Sequence, residues 1–521
     1  MRVAVVGGGI AGLSAALALR DGGADPTLFE ASVRAGGKIS TLTEEGFTTE
    51  GGPHALARSA SFSFGLAQRL GLRDEIAKAR PPRTRFVWQA GTLHRAPSPT
   101  LLSRAGWAAV LREPAWWRRA PGESGRSLRR FLVDHLGEEV GSLAARLMAA
   151  GVYAGDPDRL SAREAFPAMA ALEDARGSLV LGALFQLLRP VDLRATLVGR
   201  RSGRPLEEDG FAGRWAEAAR PKHSKEEDGS AGRWAEAARP KHSKEEDGSA
   251  GRRAEAARPK HSNDQRRERG RPPAGLWSFG RGLGTLTEAL AVRLRGELRL
   301  ATPVASLRPD GDLWEIAWGG ATPGRDRFDA VVLALPAFAA APLCAPFSER
   351  LAAGLGAIPY APLALVQLGV PEANLGRPAS GFGLLDGDGS LSSVGTLFPS
   401  SFFPGRAPPG SALLASMVGG ALRPELAALP DEELVRLCRK DLERTLGLRG
   451  APSYVRIDRH ARAIPQYEIG HSARLRELLA AAAAHPRLAL CGAAYDGVSV
   501  DQCARGGARA AAEILSGLRL G

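Results

Sequence analysis

The sequence has few cysteines, no long apolar run and no secretory signal. Its four cysteines, Cys344, Cys438, Cys491 and Cys503, are scattered without a CxxC pair, which argues against a disulfide framework or a zinc site and predicts buried thiols. No segment approaches the unbroken apolar length of a membrane-spanning helix, so any membrane contact is expected to be peripheral. No hydrophobic signal core follows Met1, and we therefore expect a cytoplasmic location.

The motifs of several function classes are also missing. We find no nucleic-acid-binding motif and no Ser-His-Asp or metal-ligand constellation, so we predict no nucleic-acid partner and no metal, and we assign no catalytic acid or base. The net charge of +13 comes mostly from arginine. This excess suits an anionic membrane or a carboxylate-bearing substrate, and a GC-rich coding bias explains it equally well.

One stretch of the chain is a tandem repeat. Near-copies of GRWAEAARPKHSKEEDGSA open at Gly213, Gly232 and Gly251. The copies are highly charged and poor in aliphatic residues, and each contains a proline in what would otherwise be a helix. We predict that residues 201–271 are a disordered, low-complexity insertion in a surface loop.

The remaining chain predicts an α/β fold, with a Rossmann-type dinucleotide-binding domain assembled from discontinuous segments. Among the strand-like runs that follow the repeat are Leu298–Leu307 and Ala330–Leu335, and the chain closes with a strand, a glycine and a helix. An inserted helical domain and a mixed-sheet domain are expected between these segments. The expected division is a dinucleotide domain at 1–80, 275–310 and 485–521, a helical substrate- or membrane-binding region at 81–200, the repeat at 201–271, and a substrate-binding domain at 311–484.

The first chemical motif is the run Gly7-Gly8-Gly9-Ile10-Ala11-Gly12 between an apolar strand and an alanine-rich helix. The three spaced glycines suit a tight turn, the close approach of a pyrophosphate and the packing of the helix on the strand. Glu30 ends the next predicted strand, where a carboxylate can accept hydrogen bonds from ribose hydroxyls. This context predicts dinucleotide binding.

Further glycine-rich stretches favour FAD over a nicotinamide cofactor. Arg34-Ala35-Gly36-Gly37-Lys38 is a glycine pair of the kind that lies under the dinucleotide in FAD proteins, and Glu50-Gly51-Gly52-Pro53-His54-Ala55 follows it. The segment Gly492–Val500 precedes the last helix, so its amides are placed to face the flavin. Val304 ends a predicted strand where backbone groups can hold the adenine. We predict that the FAD is non-covalent.

Two longer runs, Gly151-Val152-Tyr153-Ala154-Gly155-Asp156-Pro157 and Ala463-Ile464-Pro465-Gln466-Tyr467-Glu468-Ile469-Gly470-His471, resemble the protoporphyrinogen oxidase family, a branch of the flavin amine oxidases. The resemblance covers nearly the whole chain apart from the repeat. It implies FAD contacts at Gly7, Gly8, Gly9, Ile10, Ala11, Gly12, Glu30, Ala31, Gly37, Lys38, Gly52, Pro53, His54, Ala55, Val304, Val498, Ser499 and Val500. It also implies substrate contacts at Arg85, which would anchor a propionate, and at Gly155, Phe382, Leu385 and Met417.

The resemblance implies the six-electron oxidation of protoporphyrinogen IX to protoporphyrin IX in haem biosynthesis. FAD would accept hydride, and dioxygen would be the terminal acceptor, giving hydrogen peroxide. Coproporphyrinogen III oxidation is an alternative, and an amine oxidase, a carotenoid desaturase or a non-catalytic flavin or porphyrin carrier are more distant ones. A homodimer is left open.

A membrane contact is suggested by Leu101-Leu102, Trp107, Val110-Leu111 and Trp116-Trp117, with arginines between them. Such a mixture suits an anionic lipid surface, such as the inner face of the cell membrane. A buried amphipathic helix pair explains the pattern equally well.

Overall fold

The computed structural model describes residues 1–81, 84–116, 125–179 and 272–517. The predicted repeat insertion at 201–271 lies outside the described residues. The strands are, in chain order, β1 (Arg2–Val6), β2 (Asp25–Phe29), β3 (Thr41–Glu44), β4 (Phe47–Glu50), β5 (Ile76–Lys78), β6 (Arg85–Gln89), β7 (Thr92–Ala96), β8 (Trp277–Phe279), β9 (Leu298–Arg299), β10 (Val304–Asp310), β11 (Leu313–Trp318), β12 (Gly324–Phe328), β13 (Ala330–Leu333), β14 (Tyr360–Pro371), β15 (Gly383–Asp386), β16 (Ser393–Leu397), β17 (Ser411–Gly419), β18 (Tyr454–Pro465) and β19 (Leu488–Leu490).

The helices of the described residues lie between these strands, and the long helix α4 is kinked at Gly137, where φ is 77°. In chain order they are α1 (Ile10–Asp21), α2 (Ser61–Arg69), α3 (Arg104–Arg112), α4 (Leu128–Tyr153), α5 (Ala162–Ala165), α6 (Pro167–Arg176), α7 (Gly284–Arg293), α8 (Ala337–Cys344), α9 (Glu349–Gly356), α10 (Pro399–Phe402), α11 (Asp431–Leu446), α12 (His471–Ala483) and α13 (Val500–Gly517).

A five-stranded parallel sheet is built from distant parts of the chain, in the order β19-β13-β1-β2-β9. Its strands β1, β13 and β19 are apolar and buried, because helices cover the sheet and the three-stranded sheet packs in the same core. Helices α1 and α13 pack closely, since a Cβ added at Gly507 would lie 2.0 Å from the Ala11 carbonyl oxygen. The strand order reverses at β1: β2 and β9 lie on one side of it, and β13 and β19 lie on the other. Ligands of such folds bind at this reversal point, beyond the carboxyl ends of the strands.

Two expectations about this region are wrong. The run Leu298–Leu307 is not one strand: it divides into β9 of the parallel sheet and β10 of a separate three-stranded antiparallel sheet. Pro303 cannot donate to a ladder, and Thr302 instead donates its amide to the Glu30 carbonyl oxygen at 2.8 Å. In addition, β13 pairs with β1, although the expected boundary at residue 310 assigns it to the substrate domain. The rest of the predicted domain division stays a prediction.

A seven-stranded mixed sheet has the order β18-β14-β17-β16-β15-β6-β7. It includes β6 and β7, which the predicted helical region at 81–200 does not anticipate. Alternation explains the difference: Phe86 and Trp88 pack into the core on one face of the sheet, whereas Arg85 and Val87 point to the other face. The remainder of that region is helical where it is described.

Candidate functional site

The first glycine motif forms the turn between β1 and α1. Gly7 has a φ of +109°, and a Cβ added there would lie 2.6 Å from the Ala334 carbonyl oxygen, so this position requires glycine. A Cβ on Gly12 would lie 1.8 Å from the Gly7 carbonyl oxygen. Gly9 is the N-cap of α1, and no side chain among the described residues caps the helix. The uncapped amides and the open space beside Gly9 fit a pyrophosphate.

Glu30 ends β2 beside this turn, as predicted. Its carboxylate accepts the Gly8 amide at 2.6 Å and the Ser32 amide at 2.9 Å. Glu30 and Ser32 also accept, through their carbonyl oxygens, the amides of Thr302 and Ala301, each at 2.8 Å. These bonds bring the chain just before Val304 to the end of β2. The structure therefore places the predicted ribose and adenine contacts next to each other.

The second glycine stretch lies directly under the first. The Gly36 amide donates to the Gly8 carbonyl oxygen at 2.8 Å, and a Cβ on Gly37 would lie 3.3 Å from the Gly9 Cα. The third stretch follows alongside, because the Gly51 amide donates to the Ser40 carbonyl oxygen at 2.7 Å. All three predicted glycine stretches are thus neighbours in space.

Three polar side chains connect these stretches to the seven-stranded sheet. Lys38 donates its ammonium to the carbonyl oxygens of Ala463 and, at 3.2 Å, Arg462. His460 Nε2 lies 2.7 Å from the Gly51 carbonyl oxygen, which can only accept, so Nε2 carries the proton. The buried side-chain amide of Gln367 makes two hydrogen bonds with the Glu50 backbone. Its Nε2 donates to the Glu50 carbonyl oxygen at 3.1 Å, and its Oε1 accepts the Glu50 amide at 3.3 Å. Gln367 is not among the predicted site residues, although a lone amide in the apolar run Leu363–Leu368 is a usable signal.

Three of the predicted substrate residues, Arg85, Leu385 and Met417, share one face of the seven-stranded sheet, as the register of β6, β15, β16 and β17 shows. Leu385 lies 3.6 Å from a Cβ added at Gly151 of α4. Met417 packs with Leu363, Ala154 and Ala463, so it lies beside the residue whose carbonyl binds Lys38.

Arg85 is exposed, and its guanidinium carbon lies 5.6 Å from the centre of the Phe382 ring. Phe382 also packs with Phe402, Phe403 and the predicted flavin contact Ala55. The sequence analysis did not single out this phenylalanine pair.

The two runs that carry the family resemblance meet each other and the C-terminal motif. Gln466 Nε2 donates to the Tyr153 carbonyl oxygen at 3.0 Å, and a Cβ on Gly155 would lie 2.5 Å from Gln466 Oε1. The Tyr467 hydroxyl donates to the Ala493 carbonyl oxygen at 2.7 Å. Gly155 therefore packs against the side chains of Gln466 and Leu160, and a larger residue there would displace them.

Two histidines of these motifs are neutral at physiological pH. Burial lowers the pKa of His54 to about 4, and the nearby Arg406 lowers it further in the same direction. Burial also lowers the pKa of His471 to about 4; its ring stacks on Tyr467 at 4.2 Å. The His54 Nε2 atom is buried and has no hydrogen-bond partner among the described residues. Neutral, unprotonated rings next to a predicted flavin stretch fit a packing or hydrogen-bonding role.

A model of the family described as flavin containing amine oxidoreductase matches residues 10–515 of the chain. The chain belongs to this family. Membership confirms the predicted cofactor, FAD, and the predicted oxidoreductase class. The non-covalent attachment stays a prediction.

The chain is similar to named relatives over almost its entire length. It is 29% identical to the mitochondrial protoporphyrinogen oxidase of Nicotiana tabacum, covering 99% of this chain and 95% of the relative. It is 28% identical to the protoporphyrinogen oxidase of Homo sapiens, covering 98% of each. These relatives confirm the resemblance that the two sequence runs indicated.

Solved structures confirm the predicted fold class. A candidate protoporphyrinogen oxidase from Exiguobacterium sp. 255-15 superposes with a TM-score of 0.72 at 21% identity, covering 99% of this chain and 98% of the other. Cyclohexylamine oxidase from Brevibacterium oxydans IH-35A superposes with a TM-score of 0.63 at 18% identity, covering 99% of both chains. At these identities the similarity shows the fold alone.

The residues present fit FAD. The uncapped N-terminus of α1 suits the pyrophosphate, Glu30 suits the ribose, and the third glycine stretch carries the buried, unpartnered His54 Nε2 where a polar ligand atom can pair with it. The side chains of Ile10 and Ala11 are buried in the core, so these predicted contacts could involve only their backbone.

Proposed function

We propose that this flavoprotein oxidises protoporphyrinogen IX to protoporphyrin IX, passing the electrons to dioxygen. The Nicotiana tabacum and Homo sapiens relatives have this activity in their names, and each match spans nearly the full length of both chains. The observation that carries the proposal is the arrangement of the substrate face: Arg85, Leu385 and Met417 lie on one face of the seven-stranded sheet, and Met417 packs with Ala463, whose carbonyl oxygen binds Lys38.

Each side chain of this face has a defined task in the proposal. Leu385 and Met417 supply an apolar surface for the tetrapyrrole, and Phe382 adds an aromatic wall backed by Phe402 and Phe403. Arg85, at the exposed edge, pairs with a propionate carboxylate and so fixes the orientation of the macrocycle. Gly155 leaves room for the Gln466 side chain, which ties the two family motifs together.

The chain itself supplies binding and orientation, and bound FAD supplies the electron-accepting chemistry. No general base is required of the described residues, and the lowered pKa values of His54 and His471, about 4 each, make both rings weak bases. The contribution of the protein is to hold the substrate over the flavin stretches and to exclude water from an apolar site. The FAD contacts assigned from the sequence are part of the same proposal.

A fluorimetric assay of porphyrin formation, comparing protoporphyrinogen IX with coproporphyrinogen III, tests the proposed substrate. We expect faster turnover at subsaturating protoporphyrinogen IX, with oxygen consumption and peroxide formation in step. A preference for coproporphyrinogen III would show that this compound is the substrate instead, while the class of reaction would remain the same. A yellow protein that consumes no oxygen with either porphyrinogen would refute the proposal.

We also propose a peripheral contact with an anionic membrane through α3. No helix in the described ranges is both long and apolar enough to cross a bilayer. On α3, however, Leu111 is 77% exposed and Trp107 is 38% exposed. The flanking Arg104 and Arg112 are also exposed and suit anionic headgroups. Trp117, the last residue of the predicted motif, lies outside the described residues.

Co-sedimentation with vesicles of anionic phospholipid at low salt tests this contact. We expect Leu111→Asp to reduce the bound fraction severalfold, because it removes apolar area and adds a negative charge at the lipid surface. Leu422→Asp is the matched control, since Leu422 is 53% exposed but lies after β17, remote in sequence from α3. Equal sedimentation of the wild type with anionic and neutral vesicles, or none with either, would contradict the proposal.

A further inference from the structure

A buried ion pair lies behind the third glycine stretch and has no part in the function described so far. Arg406 is 2% exposed and Glu50 is 3% exposed. Arg406 Nη2 lies 3.5 Å from Glu50 Oε1 and donates to the Phe279 carbonyl oxygen at 3.1 Å. Removing two charges from water is costly, and a pair of this kind often adds little to stability. Its presence is therefore not explained by folding alone.

Glu50 is held from several elements at once. Its Oε2 accepts the Thr41 hydroxyl at 2.6 Å, and its Oε1 accepts the Leu283 amide at 2.8 Å. Burial nevertheless dominates and raises the pKa of Glu50 to about 7. Arg456 of β18 also faces Glu50 and acts to lower its pKa, and Arg456 is itself paired with Asp458 at 2.8 Å.

The pair is close to the predicted flavin contacts. Glu50 directly precedes Gly51 and Gly52. The Arg406 guanidinium carbon lies 5.6 Å from the Phe403 ring, which packs in one cluster with Ala55.

Two polar atoms at this place, Arg406 Nη1 and His54 Nε2, are buried without a hydrogen-bond partner among the described residues. Buried polar atoms of this kind point to a ligand or a water molecule.

We propose that Arg406 and Glu50 form an electrostatic pair that sets the midpoint potential of the bound FAD. Arg406 places a cation behind the third glycine stretch, and the charge of Glu50 determines how much of that positive charge the flavin experiences. Reduced flavin is more negative than oxidised flavin near neutral pH, so a nearby buried cation favours the reduced form. The carboxylate of Glu50 opposes this effect. The inference requires bound FAD but no particular substrate.

The test is the midpoint potential of bound FAD at pH 8, where the Glu50 carboxyl of the wild type is mostly ionised. Glu50→Gln keeps the size of the side chain and removes its charge, so the potential should shift upward. The double variant Glu50→Gln with Arg406→Met removes both charges, and its potential should return to the wild-type value. The double variant Glu50→Gln with Arg406→Lys keeps the cation and should stay shifted.

Sulfite affinity gives a second readout that does not depend on turnover. Sulfite is an anion that forms an adduct with oxidised flavin, so Glu50→Gln should tighten its binding by about tenfold, the scale of one buried charge acting at short range. Asp174→Asn is the matched control, because it removes the carboxylate of the exposed Arg163–Asp174 pair, 2.6 Å apart, outside the glycine stretches. This control should leave the potential and the sulfite affinity unchanged.

Equal potentials for the wild type, Glu50→Gln and the Arg406→Met double variant would overturn the proposal and would show a purely structural pair. If Glu50→Gln does not retain FAD, the midpoint potential of the Thr41→Val variant tests the proposal instead. That variant removes a hydrogen bond to the carboxylate, which further raises the pKa of Glu50, and should shift the potential upward at pH 7. A Thr41→Val flavoprotein with the wild-type potential would then refute the proposal.

Discussion

Lys38 permits a prediction that separates protein stability from cofactor affinity. Its ammonium donates to the carbonyl oxygens of Arg462 and Ala463, while burial lowers its pKa from 10.5 to about 8. A shift of this size means that the folded protein disfavours the charged ammonium by about 3 kcal/mol. A hydrogen bond to a charged donor contributes about 1.5–3 kcal/mol in the opposite direction. Lys38→Met should therefore change the unfolding free energy of the apoprotein at pH 7 by less than about 1 kcal/mol.

The pH dependence of stability distinguishes this account from a neutral surface substitution. Between pH 8 and 10.5 an unfolded Lys38 retains a proton that the folded one has released, so wild-type stability rises with pH in this window relative to Lys38→Met. The rise approaches about 3 kcal/mol. Urea unfolding of the apoprotein at several pH values measures it, with Lys78→Met, at an exposed position on β5, as the control.

The affinity for FAD should respond differently. Because Lys38 belongs to the second glycine stretch and ties it to β18, we expect Lys38→Met to weaken FAD binding by about tenfold or more, the loss of one charge-assisted contact. Quenching of FAD fluorescence measures this affinity. A Lys38→Met apoprotein that loses more than about 2 kcal/mol at pH 7 while binding FAD normally would refute the reasoning.

Three further predictions follow from the site and the repeat. Arg85→Ala should raise KM for the porphyrinogen by about tenfold and leave kcat nearly unchanged, because an exposed propionate contact is made equally in the ground and transition states. The control Arg95→Ala, at a neighbouring exposed position on β7, should change neither constant. Acid precipitation should release all the flavin into the supernatant, and yellow colour in the pellet would disprove non-covalent binding. Deleting residues 207–265 should preserve FAD content and turnover within about tenfold, because the entropy cost of closing a loop grows only slowly with its length. A larger loss of turnover with flavin retained would show that the repeat shapes the pocket.

The cofactor region was predictable because its signals are local. The turn at Gly7 needs a positive φ, and Gly12 has no room for a Cβ. The length of the second predicted strand places the Glu30 carboxylate at its end, beside the glycine turn. The buried state of the four cysteines also follows from their scattered, apolar contexts. Each of these features depends on a few neighbouring residues, so the sequence alone defines it.

The features that were missed depend on contacts between distant segments. Arg406 and Glu50 are separated by most of the chain, and neither belongs to a motif that names the other. The predicted helical region at 81–200 does not anticipate β6 and β7; β6 pairs with β7 in a hairpin and also with β15, almost three hundred residues later. Pairings of this kind are decided by tertiary packing rather than by local propensity.

The parallel sheet also determines when the protein can acquire its cofactor during synthesis. Its central strand β1 is made first, whereas β19 and α13 are made after nearly all of the chain has been translated. Until then β13 lacks a strand on one side, and the helix that packs on α1 does not exist. A nascent chain therefore carries an apolar, incompletely covered sheet for most of its synthesis, and such intermediates fold slowly and aggregate readily. Recombinant yield should accordingly depend more on chaperone supply than on FAD supply, since the predicted FAD contacts at Gly7 and Val500 lie at opposite ends of the chain.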